Sequence, residues 1–143
     1  MNKNIEFLNY VYQNAEMGVV GIDHIIERIS DASLEKLIRE QREEYEHILE
    51  EAKNIYKKYG KDEKELGTIA KISSNITANM MLLQNKDNDN IIAKMMIDGS
   101  NKGIIEINEK LNHFTDCDIE IADLAKKLLA TEQHNLDELK KYL

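Results

Sequence analysis

Apolar residues recur every three or four positions along nearly the whole chain, the spacing of one buried stripe on an α-helix. From about Asn4 to Ile29 the stripe is Phe7, Leu8, Val11, Ala15, Gly18, Ile22, Ile25, Ile26 and Ile29. Ser30-Asp31 ends this helix and offers an N-cap to the next. The second helix, about Ala32 to Tyr59, carries Leu34, Leu37, Ile38, Tyr45, Ile48, Ala52, Ile55 and Tyr56. Lys57-Lys58 then suits the negative end of its dipole, and Gly60 suits the residue just past its end. Asp62 with Glu65 resembles a capping box and opens a shorter helix to about Gln84, with Leu66, Ile69, Ile72, Ile76, Met80 and Leu83 on its stripe. The run Lys86-Asp87-Asn88-Asp89-Asn90 reads as a turn. From about Asn90 to Phe114 a further helix places Ile92, Met96, Gly99, Gly103, Ile107, Leu111 and Phe114 inward. Thr115 or Asp116 is the expected cap of the last helix, whose stripe is Ile121, Ala125, Leu128, Glu132, Leu136, Leu139 and Leu143.

Long helices, short connections and no strand signal predict an all-α protein, an antiparallel four-helix bundle. The four long helices pair into two hairpins, and the shorter helix falls in the crossover between them. The 143 residues suit a single domain spanning the whole chain. Met80-Met81-Leu82-Leu83 is apolar all round one turn, so one side is expected to meet the bundle and another a second subunit, which points to a homodimer or other homo-oligomer. The halves also look alike: Asn14 to Ile22 aligns with Met96 to Ile104, sharing an acid and a Gly-Ile pair.

Composition narrows the function classes. The sequence has no proline and six glycines, so nothing in it forbids long helices. A formal charge of −8 without a basic stripe speaks against nucleic acid. No apolar run approaches the ~20 residues that span a membrane, and residues 1–6 hold no apolar signal core. Cys117 is the single cysteine, which excludes an internal disulfide and cysteine-cluster metal sites; a free thiol without an export signal reads as cytoplasmic.

A bundle of this kind can hold a carboxylate metal centre, in which Glu residues and Glu-x-x-His pairs converge from facing helices. Glu44-Tyr45-Glu46-His47 supplies one such pair, and Glu16 and Asp98 sit at matched heights. On the last helix Glu132 is followed three residues on by Asn135, with His134 one position early. Here the chain resembles the ferritin-like superfamily, which includes rubrerythrins and bacterioferritins. It looks most like small uncharacterised ferritin-like proteins of anaerobic bacteria. The words that carry this are Tyr12-Gln13-Asn14-Ala15-Glu16-Met17-Gly18, Met95-Met96-Ile97-Asp98-Gly99-Ser100 with Gly103-Ile104, and the closing Leu139-Lys140-Lys141-Tyr142-Leu143. The resemblance implies iron or another divalent metal, with redox or peroxide chemistry, wherever the ligands lie as that superfamily places them.

Helix phase limits this expectation. At about 100° per residue, Glu44 falls roughly 80° and His47 roughly 140° from the centre of their stripe; Glu16 is as far out as His47, and Asp98 and His134 fall further outward still. Glu132 alone is central. Asn14, Gln41, Tyr45 and Ser100 are expected at its height, with Gly18, Gly99 and Gly103, forming a polar layer between apolar ones. Three classes of function follow. One is a non-catalytic bundle acting through oligomerisation or protein contacts, with a degenerate metal site. Another is a metal-binding or di-iron protein using Glu44, His47 and Glu132. The third is a small-ligand binder using the layer of Glu132, Gln41, Tyr45, Asn14 and Ser100.

Overall fold

A computed structural model describes residues 2–62, 66 and 88–143. Four helices make up the bundle: α1 (Lys3–Ile25), α2 (Ala32–Lys58), α3 (Asp89–His113) and α4 (Ile119–Leu139). No strand occurs among the described residues. The shorter helix expected over 62–84, and with it the apolar Met80–Leu83 turn, lies outside them.

Polar contacts at the helix ends fix the topology. The carboxylate of Asp89, first residue of α3, accepts the backbone N–H groups of Ser30 (2.9 Å) and Asp31 (2.8 Å). At the opposite end Asn4 Oδ1 accepts the N–H of Asp118 (2.7 Å), and the Tyr59 hydroxyl donates to the Asp118 carboxylate. Lys58 pairs with Glu120 across α2 and α4 (2.6 Å), and at the other end of that pair the Ser33 and Tyr142 hydroxyls meet (2.8 Å). So α1 runs antiparallel to both α2 and α3, and α4 runs antiparallel to both α2 and α3. Tyr59 and Asn88, which flank residues 60–87, stand at opposite ends of the bundle, the connectivity of a crossover between two hairpins.

Asp31 caps α2 through its side chain, which accepts from Ser33 and Leu34 N–H, and Gly60 adopts φ +71° just past the C-cap. Three ends depart from the sequence reading. The first helix does not continue to Ile29: it ends at Ile25 and tightens into a 3₁₀ turn over Ile26–Arg28. Neither Thr115 nor Asp116 is the N-cap of the last helix; Asp118 holds that position without a side-chain capping bond, its N–H and carboxylate being held by Asn4 and Tyr59. That helix stops at Leu139, followed by a 3₁₀ turn over Lys140–Tyr142, and Leu143 is 66% exposed instead of buried.

Phe7, Leu8, Ile22, Leu34, Ile38, Ile48, Ile92, Ile107, Ile121, Leu128 and Leu139 are fully buried. Phe7 and Phe114 stack at one end, ring centroids 5.0 Å apart. Burial of this kind, at about 25 cal/mol per Å² of apolar surface, is the main force holding four amphipathic helices together. On α3 the buried face is Ile92, Ala93, Ser100, Gly103 and Ile107, which leaves Gly99 about 70° off its centre and exposed, against expectation. On α4 Asn135 is buried where Leu136, expected inside, is half-buried.

Candidate functional site

Midway along the bundle the apolar core gives way to polar side chains. Asn14, Gln41, Ser100, Glu132 and Asn135 are buried at 5% exposure or less, and Tyr45 is buried beside them. Two glycines make room for this layer. A Cβ on Gly18 would lie 2.7 Å from the Tyr45 ring, and one on Gly103 would lie 2.5 Å from both carboxyl oxygens of Glu132. Close approach of α1 to α2, and of α3 to α4, thus seats Tyr45 and Glu132 against backbone.

The layer is incompletely satisfied. Asn14 Nδ2 donates to the carbonyl of Gly103 (3.2 Å), and Gln41 Nε2 makes a long contact of 3.5 Å with the carbonyl of Asn135. Ser100 and Asn135 reach toward the Tyr45 hydroxyl. Yet Gln41 Oε1, Glu132 Oε2 and Asn135 Nδ2 are buried without a hydrogen bond of good geometry. Each buried polar atom left so costs on the order of 1–3 kcal/mol, and native proteins keep few of them. Burial pushes the Glu132 carboxyl up to about 8, with the charge of Glu106 adding to it. Burial and the neighbouring Glu132 charge likewise push the Tyr45 phenol above its ordinary value.

Glu132 lies on the wall of a cavity of about 420 Å³ formed largely by α1 and α3. Asn14, Tyr45 and Ser100 share the polar part of that wall, while Gln41 and Asn135 stand behind it on α2 and α4. Gly18, Met17, Met95 and Met96 supply apolar surface, and Met17, Asp98, Gly99 and Lys102 mark the exposed mouth. The two segments that look alike in sequence, 14–22 and 96–104, face one another across this cavity.

No protein-family model matches the chain, and no curated protein matches it. Among solved structures, the crystal structure of a DUF305 fragment from Deinococcus radiodurans is similar, with a TM-score of 0.76 over 99% of this chain and 95% of that one. Sequence identity is 12%, so the likeness shows a shared helical-bundle fold and nothing finer.

The described residues do not fit a di-iron centre. Glu132 points into the bundle, but Glu44 is half-buried on the flank of α2 and His47 is exposed. Glu16 is half-buried, and Asp98 and His134 are exposed. Among the described residues no three His, Cys, Asp or Glu side chains group as metal ligands. Where the fold would need a histidine after Glu132 it has buried Asn135, whose neutral amide lacks the imidazole nitrogen that suits iron. Burial raises the Glu44 carboxyl, while His134 and His47 draw it down.

Sequence reasoning placed Asn14, Gln41, Tyr45, Ser100 and Glu132 at one height, and all five are buried there. It missed Asn135, because a pattern scored on hydrophobicity prefers the adjacent leucine. Its spacing, three residues after Glu132, was the available signal. Half-buried Glu106, one turn beyond Gly103, was missed as well.

Proposed function

We propose that this protein is a non-catalytic, ferritin-like bundle that binds a small molecule in the cavity between α1 and α3. One observation carries the reading: a carboxyl group only 3% exposed lines a cavity of ligand size, and one of its oxygens has no partner. Ligand pockets are typically 300–1,000 Å³, mostly apolar, with a few convergent polar groups, and this cavity has that make-up. A carboxyl kept there solely for packing is disfavoured, since an apolar residue would fill the space without the desolvation cost. Histidine and cysteine are absent from the wall among the described residues, so it offers hydrogen bonds and charge instead of a nucleophile with its base.

The test uses three five-carbon probes of one shape: pentan-1-ol, pentylammonium and pentanoate. Ligand-observed NMR on the intact chain is expected to show saturable binding of at least one of them. Gly99→Leu is expected to abolish it. Gly99 lines the exposed mouth and a Cβ there meets nothing within 4 Å, so a leucine adds bulk at the mouth without a clash in the bundle. Absence of binding by all three probes, or binding unchanged in Gly99→Leu, rejects the reading.

A further inference from the structure

The character of the cavity narrows what it takes. Its wall carries acceptors: Glu132 Oε2 is unpartnered, and Asn14, which spends one N–H of Nδ2 on Gly103, adds Oδ1 beside the Tyr45 and Ser100 hydroxyls, which can accept as well as donate. Its charges are two carboxyls, Asp98 and Glu106, joined by Glu132 above about pH 8, against one amine, Lys102, which stands at the exposed mouth. Among the lining residues α1 contributes no charged group, and α2 contributes only the Tyr45 phenol. An anion entering would meet a net negative wall in a poorly solvated space. An ammonium group is the complement, having three donors and no acceptor. The remaining wall is Met17, Met95 and Met96 with Ile25, flexible and polarizable side chains that adapt to a carbon chain.

We propose that the cavity binds a primary alkylammonium ion, its head on the Glu132 carboxyl between α3 and α4 and its chain along the methionine wall. This rests on the binding reading above. Gly103 is part of the device, because any larger residue would displace the carboxyl from its seat. A divalent cation is the weaker match, since Glu132 has no second and third ligating side chain grouped with it among the described residues.

The experiment is calorimetric titration of the same three probes into the intact chain, across pH 6 to 9. At pH 8.5, pentylammonium is expected to bind at least about tenfold tighter than pentan-1-ol, the scale of one charge-assisted hydrogen bond. Pentanoate is expected not to bind. Glu132→Gln is expected to bring the amine down to the alcohol's affinity. Glu132 has to release its proton to meet the cation, so amine affinity rises as pH climbs toward about 8 and levels beyond it. That profile is read on the wild-type chain, so it serves even where the variant folds poorly. Alcohol binding as tight as amine, a preference for pentanoate, or amine affinity indifferent to pH overturns the ammonium assignment while leaving a binding cavity. Absence of binding by all three probes overturns both.

Discussion

Glu132 keeps its proton to about pH 8 because three helices exclude water from it and Glu106 adds a like charge nearby. The consequence for stability has a definite sign. The unfolded chain releases this proton near 4.5 and the folded one near 8, so between those values the native state binds more protons. Stability is then undiminished below about pH 4.5 and falls as pH rises toward 8, where the penalty levels off. At roughly 1.4 kcal/mol per pKa unit, the loss is a few kcal/mol. Urea denaturation of wild type and Glu132→Gln at pH 5.5 and 8.5 checks this: the glutamine variant is expected to be the more stable at 8.5, with the difference shrinking at 5.5. Equal pH slopes would mean that Glu132 is ionised in the native state. Gly18 tests the layer's second seat. Gly18→Ala drives a methyl into the buried Tyr45 ring and is expected to cost about 1–3 kcal/mol, as overpacking does. The double variant with Tyr45→Leu is expected to recover much of that loss, a coupling read from a double-mutant cycle. The polar layer was legible in the sequence because Glu132 interrupts an apolar stripe at its centre. The cavity was not, because it depends on how closely Gly18 and Gly103 let the helices approach, a three-dimensional quantity that spacing does not encode.

At the scale of the elements, periodicity located α1 to α4 to within a few residues, because each carries an apolar face over more than five turns. The ends were less legible where packing decides them. Asp31 was readable as a cap, since the carboxylate and the N–H groups it accepts are local in sequence. Asp118 was not, because Asn4 and Tyr59, which hold it, come from other helices. The same distinction applies to the C-terminal signal of α2. Gly60 has φ +71°, with its N–H on the carbonyl of Lys57 (2.9 Å), and a Cβ there would touch nothing within 4 Å. Gly60→Ala therefore isolates the left-handed backbone cost from any packing cost. A loss of about 1 kcal/mol is expected, measured by chemical denaturation, with the helix content of the folded state unchanged. A neutral result would show that α2 frays before Gly60 and needs no left-handed residue to end it.

For the molecule as a whole, the decisive feature is that all neighbouring helices are antiparallel while the chain has only one long connection. Asp89 is hydrogen-bonded to the N-terminal end of α2, and Tyr59 leaves from its C-terminal end. The chain between them must therefore cover the length of α2, whose 27 residues span about 40 Å at 1.5 Å each. A direct hairpin between α2 and α3 would instead make those two helices antiparallel neighbours and reverse the hairpin of α3 and α4. Asp89 would then lose Ser30 and Asp31, and Asn4 would lose Asp118. This makes connection length a test of topology. Replacing residues 61–87 by a Gly/Ser linker of about 25 residues, which spans that distance comfortably, is expected to preserve the helical bundle, though weakened by the loss of buried Leu66. A linker of about eight residues reaches at most ~29 Å when fully extended, too short for this connectivity. It is expected to give either an unfolded chain or a swapped dimer in which α3 and α4 complete a partner's bundle. Circular dichroism with gel filtration distinguishes these outcomes. A monomeric, fully helical protein with the short linker would show that the helices tolerate the alternative order, and that the crossover is not what selects the fold.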